Sequence, residues 1–252
     1  MYAIGLTDKG QTREQNQDSI FFSTTPVGPL PNLFIVADGM GGHNAGDVAS
    51  THAVNFVKDY IRNFQVSSFV LEENYLDLLV SSVQDANAKV LSLTDIDPKL
   101  TGMGTTLTAC VVTQDKMLIA HVGDSRAYTI INDKITQITT DHTYVERMLK
   151  TGQITKEEAD SHPKRHILTR VLGTDWLFEA DGLIIPTAGH EVTILLCSDG
   201  LTNMVADDKI LEIVTAAPDL DTAAAALIKE ANENGGFDNI SAVLINTRGD
   251  KI

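Results

Sequence analysis

Five aspartates stand where strand-like runs meet turns, and together they could bind a cation. Asp38, Asp124 and Asp199 follow apolar runs and each adjoins a glycine, while Asp18 and Asp238 precede such runs. A single aspartate beside a glycine is ordinary turn chemistry, but a sheet can bring distant strand ends together. Clustered carboxylates repel one another unless a cation neutralises them. The pattern therefore indicates a hard ion, Mg²⁺ or Mn²⁺, which prefers oxygen ligands and retains water.

Two other chemistries fit the sequence poorly. Cys110 and Cys197 lack the spacing of a zinc site, and Pro163 directly follows His162 in the pair His162 and His166. A proline there would break the helix that an HExxH zinc motif needs. The stretch "DGMGG" also lacks the GxGxxG pattern of a dinucleotide-binding loop. An oxygen-liganded cation site is the better interpretation.

Arg13 lies five residues before Asp18, in a polar segment near the expected cation site. An arginine beside a two-metal site is suited to a bidentate grip on a tetrahedral oxyanion such as phosphate. An arginine in a polar segment is equally typical of a solvated surface. The residues alone leave both interpretations of Arg13 open.

The segments that must position these residues are strand-like runs and amphipathic helices. Short polar turns such as "TQDK" and "NDK" separate several runs, which favours antiparallel neighbours. Strands in blocks with helix pairs between them predict an α+β sandwich. The predicted strands cover residues 3–7, 19–23, 33–37, 106–112, 117–122, 127–131, 183–185, 192–197 and 240–245. Helical periodicity covers residues 46–64, 71–93, 201–216 and 222–234.

Residues 141–173 are more polar and more basic than their surroundings. Two capping-box patterns, Thr143 with Glu146 and Thr155 with Glu158, each predict the start of a short helix. We expect this segment to form a helical flap outside the main core.

Composition and charge restrict the possible partners. The formal net charge is −15, which argues against nucleic-acid or anionic-membrane binding, because both need lysine and arginine to neutralise phosphates. The acidic excess reflects either simple solubility or carboxylates gathered around a cation.

The sequence also bears on where the protein acts. No apolar run reaches the length of a membrane span, and the first ten residues do not resemble a signal peptide. Two cysteines within apolar runs predict buried thiols in a reducing compartment. We expect a cytoplasmic single domain over residues 1–252.

Six motifs occur in an order that is found in a known family. They are "RxxNQD" (13–18), "VADGMGG" (36–42), "GMGTT" (102–106), "HVGDSRAY" (121–128), "LCSDGLTNMV" (196–205) and "GGFDNISAVLI" (235–245). The chain resembles the metal-dependent type 2C serine/threonine protein phosphatases, particularly the compact bacterial form, over essentially its whole length. The resemblance implies a four-layer α-β-β-α sandwich of two antiparallel sheets flanked by helix pairs, with metals in a cleft at one end.

The resemblance also implies a metal-binding role for most of the aspartates. Asp38 would lie between two metal ions, and the backbone carbonyl of Gly39 would complete the ligands of one of them. Asp199 and Asp238 match further ligands of this two-metal centre. Asp124 matches a ligand of a third ion that it shares with Asp199. The expected ions are Mn²⁺ or Mg²⁺.

The same motifs imply roles for other residues around the metals. Asp18 matches a carboxylate that holds metal-bound water, Arg13 matches the phosphate-binding arginine, and Asn239 would orient the site through hydrogen bonds. Many eukaryotic members have a histidine immediately after the "DG" pair as a general acid, but Met40 stands there in this chain. Either His43 or a metal-bound water is then the acid. If the acid is water, His43 caps the following helix or holds the loop.

The implied activity is hydrolysis of phosphoserine and phosphothreonine in proteins by a metal-activated bridging water. The enzyme would oppose a bacterial eukaryotic-like Ser/Thr kinase, and the flap would lie beside the active site. Two alternatives remain: a catalytically inactive phosphatase-fold module that binds a partner, and a hydrolase for small phosphoesters. Loss of Asp38, Asp199 or Asp238 would mark the inactive module, and all three are present.

Overall fold

The computed structural model describes residues 1–41, 45–64, 71–187 and 191–249. Within them, the first sheet contains five strands in the order β1-β11-β10-β7-β8, and every neighbouring pair is antiparallel. The strands are β1 (Tyr2–Asp8), β7 (Arg126–Ile131), β8 (Lys134–Gln137), β10 (Thr193–Cys197) and β11 (Ile240–Asn246). The two strands at the ends of the chain, β1 and β11, are therefore direct neighbours.

The second sheet follows the order β2-β3-β5-β6-β9, again with antiparallel neighbours, and the two-residue strand β4 pairs with the end of β3. Its strands are β2 (Asp18–Ser23), β3 (Leu33–Met40), β4 (Gly104–Thr105), β5 (Leu107–Val112), β6 (Lys116–Val122) and β9 (Asp181–Pro186). Nearly every residue of β3, β5 and β6 is buried, as is typical of strands that are covered on both faces.

Three apolar clusters define four layers. One cluster joins α1 (Ala45–Arg62) and α2 (Tyr75–Ile96) to the second sheet. Another joins the first sheet to α6 (Asp207–Ala216) and α7 (Leu220–Glu233). The third lies between the two sheets and contains Phe34, Ile119 and Val243. The expected α-β-β-α sandwich of two antiparallel sheets is confirmed.

The prediction of one continuous helix over residues 201–216 was wrong. The chain forms a short helix α5 (Asp199–Thr202), leaves the helical conformation, and resumes as α6. Ala206 is extended, with φ −67° and ψ 153°. The apolar spacing continues through this break because both helices pack against the same core cluster, so periodicity alone could not reveal it.

Strand β8 was also missed, because it is short, polar and at the edge of the first sheet. It follows β7 through Asn132 and Asp133, which have φ angles of 49° and 56°. Two consecutive positive φ values are typical of the tight turn of a β-hairpin, and asparagine and aspartate tolerate them better than most residues. This turn explains why "NDK" separates two paired strands.

The flap contains two short helices, α3 (Tyr144–Lys150) and α4 (Lys156–Asp160). The Thr143 hydroxyl accepts a hydrogen bond from the Glu146 N–H, and at Thr155 both halves of the capping box with Glu158 are formed. Both predicted helix starts are therefore observed. In the part of the chain that the structure describes, no helix combines the length and apolarity needed to cross a membrane.

Candidate active site

The ends of the two sheets meet at Asp18. This residue opens β2 directly opposite Asp38 on β3, and its carboxylate is buried. Two serines of the first sheet, Ser198 directly after β10 and Ser241 near the start of β11, donate hydrogen bonds to Asp18 Oδ2 at 2.7 and 2.6 Å. The two serines therefore connect both sheets through one carboxylate oxygen.

Asp38 lies near the end of β3, where its backbone is held from the neighbouring strands. Its N–H donates to the Thr106 hydroxyl at 2.9 Å, and its carbonyl accepts from the Thr105 hydroxyl at 2.8 Å and from the Thr106 N–H at 2.9 Å. These bonds satisfy the backbone at the end of the strand. The carboxylate is thus carried on a rigid position.

Gly39 follows Asp38 where three backbone segments meet. A Cβ atom at this position would collide with the carbonyl oxygens of Gly46, in the first turn of α1, and of Gln17. Only glycine lets α1 begin this close to the strand end. The absence of a side chain directly after Asp38 therefore has a packing reason.

Asp124 and Asp199 come from two further connections. Asp124 occupies the turn between β6 and β7, and Asp199 is the first residue of α5. Asn203, one helical turn later, donates to Asp199 Oδ2 at 3.0 Å. The two side chains meet because residues four apart lie on the same face of a helix, so α5 places Asn203 where it can orient Asp199.

The carboxylates are close enough to change one another's pKa. Burial, followed by the negative charges of the other four aspartates, raises the pKa of Asp38 well above its usual value. Burial is also the largest cause at Asp18, whose pKa is raised to about 7, and at Asp124, whose pKa is raised to about 8. The pKa of Asp199 is raised by burial and by the charge of Asp238. The fold therefore gathers negative charge that favours a bound cation.

The donor set fits hard divalent ions. Asp18 Oδ1 and Asp199 Oδ1 are buried, and neither has a hydrogen-bond partner among the described residues. Carboxylate oxygens left without donors are costly unless a cation satisfies them. Within the described ranges, no three His, Cys, Asp or Glu side chains are gathered closely enough to form a complete cage. Few protein ligands per ion are typical of Mg²⁺ sites, because that ion keeps several waters.

Arg13 lies at the same edge, in the loop between β1 and β2. Its Nη2 is 2.7 Å from Asp238 Oδ2, and about half of the Arg13 side chain is exposed. The guanidinium is therefore held beside the carboxylates while remaining accessible to a ligand. Of the two interpretations of Arg13, the structure favours an oriented side chain over a freely solvated one.

Asn239 organises the loop that carries Arg13. Its Oδ1 accepts from the Gln17 N–H at 2.8 Å, and its Nδ2 donates to the carbonyls of Lys9 and Gln15, both at 2.9 Å. One buried side chain thus binds the loop backbone at three points. The expectation that Asn239 orients its surroundings is consistent with these contacts.

The cluster opens into a cavity of about 1620 Å³, lined by Arg13, Asp38, Asp124, Asp199 and Asp238 together with one side of the flap. The flap residues at this cavity include Lys156, Arg165 and His166. Met40, directly after the "DG" pair, also lines it and is partly exposed. His43 lies outside the described residues, so its role stays a prediction.

Several contacts of the site were not expected from the sequence. Ser198 and Ser241 contact Asp18, Thr106 holds Asp38, and Asn203 holds Asp199. A weak signal existed, because each of the two serines lies within three residues of a candidate ligand, in "CSDG" and "DNIS". Small polar residues are common beside turns, however, and spacing alone could not identify their partners.

Comparisons with known proteins show similarity over nearly the whole chain. The protein phosphatase 2C family model matches residues 8–234. The serine/threonine phosphatase stp of Listeria innocua is 40% identical over 246 residues, which are 97% of this chain and 95% of that protein. The crystal structure of the serine/threonine phosphatase Stp1 from Staphylococcus aureus is 34% identical, with a TM-score of 0.88, and the match covers 98% of this chain and 95% of that one. A structure of the catalytic domain of the serine/threonine protein phosphatase PstP in complex with two manganese ions is 32% identical, with a TM-score of 0.81 and 96% of both chains covered.

Proposed function

The chain belongs to the protein phosphatase 2C family, and from that premise we propose that it hydrolyses phosphoserine and phosphothreonine in proteins with the help of divalent metal ions. The observation that carries this proposal is the convergence of four of the aspartates and Arg13 on one cavity, with the fifth aspartate, Asp18, buried beside Asp38. Negative side chains that would bind cations thus lie beside a cationic side chain that would bind phosphate. This combination suits a phosphoryl group that contacts both.

Two ions, Mn²⁺ or Mg²⁺, would be held by Asp38, Asp199 and Asp238 with the Gly39 carbonyl, and a third by Asp124 with Asp199. The chemistry that such ions supply when bound is Lewis-acid activation of water and neutralisation of charge on phosphoryl oxygens. The PstP structure that contains two manganese ions supports the two-ion centre by similarity. Within this chain, the buried oxygens Asp18 Oδ1 and Asp199 Oδ1, which have no hydrogen-bond partner among the described residues, also support a bound cation.

The chain's own residues would bind the phosphoryl group and the water that attacks it. Arg13 is pre-oriented by Asp238 and would stabilise negative charge on the phosphoryl oxygens through charge-assisted hydrogen bonds. Asp18 Oδ2 is occupied by two serine hydroxyls, whereas Asp18 Oδ1 is available to accept a hydrogen bond from water. His43 remains our candidate for protonating the leaving oxygen, with water as the alternative. Both cysteines are buried, which supports a mechanism without a cysteine nucleophile.

The partners would be phosphorylated proteins and the Ser/Thr kinase whose action this enzyme reverses. Several basic or titratable residues of the flap line the cavity, including Arg165 and His166, and would face a phosphoprotein segment. Free, buried Cys110 and Cys197 support a reducing compartment, so we place the enzyme in the cytoplasm. We further propose that it acts as a monomer and, given its net charge of −15, without nucleic acid.

The decisive experiment measures phosphate release from a phosphothreonine peptide with Mn²⁺, and then with excess chelator. We expect release only with the metal, and we expect Asp38→Asn to reduce it by more than about 100-fold, since even residues that support metal ligands cost 10- to 100-fold. Removing one charge from a repelling cluster should also raise the unfolding midpoint of the metal-free protein by about 2–4 °C. Lost activity with gained stability would separate a functional role from misfolding.

An exposed aspartate provides the matched control. Asp77→Asn, in the first turn of α2, makes the same chemical change at an exposed residue that, like both of its chain neighbours, does not line the cavity, and should leave phosphate release unchanged. If folded, metal-loaded wild-type protein released no phosphate, the inactive binding module would be the better description. If free nucleotides were hydrolysed faster than the phosphopeptide, a hydrolase for small phosphoesters would be the better description.

A further inference from the structure

Phe237 is an exposed aromatic residue beside the proposed phosphate site. Its side chain is 62% exposed, although it directly precedes Asp238. It lines the same cavity as Arg13 and the aspartates. A single exposed apolar side chain is common on protein surfaces, but this one lies at the cavity that would bind the substrate, where its apolar face is available to a ligand.

The position of the ring is defined by the backbone beneath it. Gly235 has a φ angle of 123°, in a region that residues with a side chain rarely adopt. A Cβ atom on Gly235 would lie 2.8 Å from Cε2 and Cζ of the Phe237 ring. The ring therefore packs against the bare backbone of Gly235, and an added methyl group would displace it.

The backbone of Phe237 is joined to the segment that carries Arg13. The Thr12 hydroxyl donates to the Phe237 carbonyl at 2.7 Å. The Gly236 carbonyl accepts from the Gln11 N–H at 2.8 Å and from the Thr12 N–H at 3.3 Å. Since Arg13 is the next residue and pairs with Asp238 at 2.7 Å, the segments that carry the ring and the guanidinium are bonded to each other.

We propose that Phe237 determines substrate specificity by binding an apolar side chain of the phosphoprotein that directly neighbours the phosphorylated residue. This inference rests on the proposed function, because Arg13 must hold the phosphate for the neighbouring residue to reach the ring. An extended peptide places adjacent residues about 3.3–3.6 Å apart along its length, so a phosphorylated residue held at Arg13 would bring its direct neighbour to the same side of the cavity as Phe237.

Charge selects an apolar occupant over an ionic one. An aspartate or glutamate next to the phosphorylated residue would be repelled by Asp238, and a lysine or arginine would pair with the carboxylates of the cavity and leave the ring uncovered. A leucine, valine or phenylalanine has no charge to satisfy and covers apolar ring surface.

The test compares three substrates: a phosphothreonine peptide with leucine on both sides, the same peptide with serine on both sides, and p-nitrophenyl phosphate. Wild-type protein should prefer the leucine peptide. Phe237→Ala should lower kcat/KM for the leucine peptide by about five- to tenfold, mainly through KM, as expected for one apolar contact. The other two substrates should change by less than about twofold, because they do not occupy the ring.

Three further variants strengthen the experiment. Phe237→Leu keeps an apolar surface and should retain most of the preference, whereas Gly235→Ala should weaken it by displacing the ring. Trp176→Ala removes another exposed aromatic ring, which is absent from the residues that line the cavity, and should change nothing. Equal losses of Phe237→Ala on all three substrates would overturn the inference, since the ring would then only support Asp238. Active wild-type protein without a leucine preference would also overturn it. Inactivity of wild-type protein on every substrate would refute the proposed function itself.

Discussion

Asn239 shows how a single residue can support the site without contacting a ligand. It is 4% exposed, and all three of its side-chain hydrogen bonds go to the backbone of residues 9–17. That loop contains Arg13, so the orientation of the guanidinium depends on a neutral amide. A carboxylate of the same size would retain the acceptor and lose both donors.

We therefore expect Asn239→Asp to destabilise the protein and to weaken phosphate binding together. Its new oxygen would face two carbonyls, and a buried acceptor without a donor costs about 1–3 kcal/mol. The unfolding midpoint should fall by about 2–4 °C for each kcal/mol, and KM should rise more than kcat falls. Thermal unfolding and steady-state kinetics measure both effects.

The control for Asn239→Asp is the same substitution on an exposed helix face. Asn55 lies on α1, and its Oδ1 accepts from Lys58 Nζ at 3.1 Å. Asn55→Asp keeps this contact and should change stability by no more than about 0.5 kcal/mol. Normal stability of Asn239→Asp would contradict the role assigned to its amide.

At the scale of elements, His142 fixes the base of the flap to both neighbouring segments. The His142 ring Nδ1 accepts from the Gly123 backbone N–H at 3.1 Å, and the His142 backbone N–H donates to the Gly123 carbonyl at 2.7 Å. Because Nδ1 is an acceptor, Nε2 carries the proton and donates to Asp181 Oδ2 on β9 at 3.0 Å. Arg170 donates to Asp181 Oδ1 at 2.7 Å. One imidazole thus joins the flap, β9 and the turn before Asp124.

Two isosteric variants of His142 should separate these connections. Asn places its oxygen near Nδ1 and should retain the Gly123 contact, whereas Gln places its amide near Nε2 and should retain the Asp181 contact. Losing either bond costs about 1 kcal/mol, so local exchange should accelerate by about fivefold. Hydrogen exchange should change at β9 and the flap for His142→Asn, and at the turn of residues 122–125 for His142→Gln. Identical exchange patterns in both variants would contradict this division.

At the scale of the whole molecule, His121 makes stability depend on pH. It is fully buried, between Thr108 at 2.9 Å and the Thr140 carbonyl at 3.1 Å. Burial, followed by the nearby His142, lowers the pKa of His121 to about 4. In the unfolded chain the pKa would be about 6.5. The unfolded state therefore binds more protons between these values, and stability falls as the pH drops from about 6.5 to about 4.

The contribution of His121 should approach roughly 3 kcal/mol across that interval, from the two pKa values. The aspartates at the site have raised pKa values and act in the opposite direction, so measurements should be made with saturating Mn²⁺. His121→Gln retains a donor toward Thr140 without titrating. Chemical denaturation at several pH values should show wild-type stability falling more steeply than that of the variant. Parallel curves would exclude this contribution.

Much of the architecture is predictable because its signals are local. Nine strand-like runs and most of the helices follow from apolar periodicity over a few residues, as at residues 33–37 and 240–245. Two exceptions, β8 and the break before α6, depend on turn geometry and on packing against a shared core cluster. Neither is contained in a hydrophobic pattern.

The sequence by itself determined which residues could carry the chemistry, because aspartates at strand ends, an arginine and glycine-rich turns keep their chemical character in any arrangement. Only the tertiary structure decided their partners. Ser198 and Ser241 reach Asp18 from 180 and 223 residues away, and Phe237 lies beside Arg13 through the bonds of Thr12. The physical reason is that strand register and the packing of two sheets are collective properties, since shifting one strand by a single residue would turn its side chains to the opposite face.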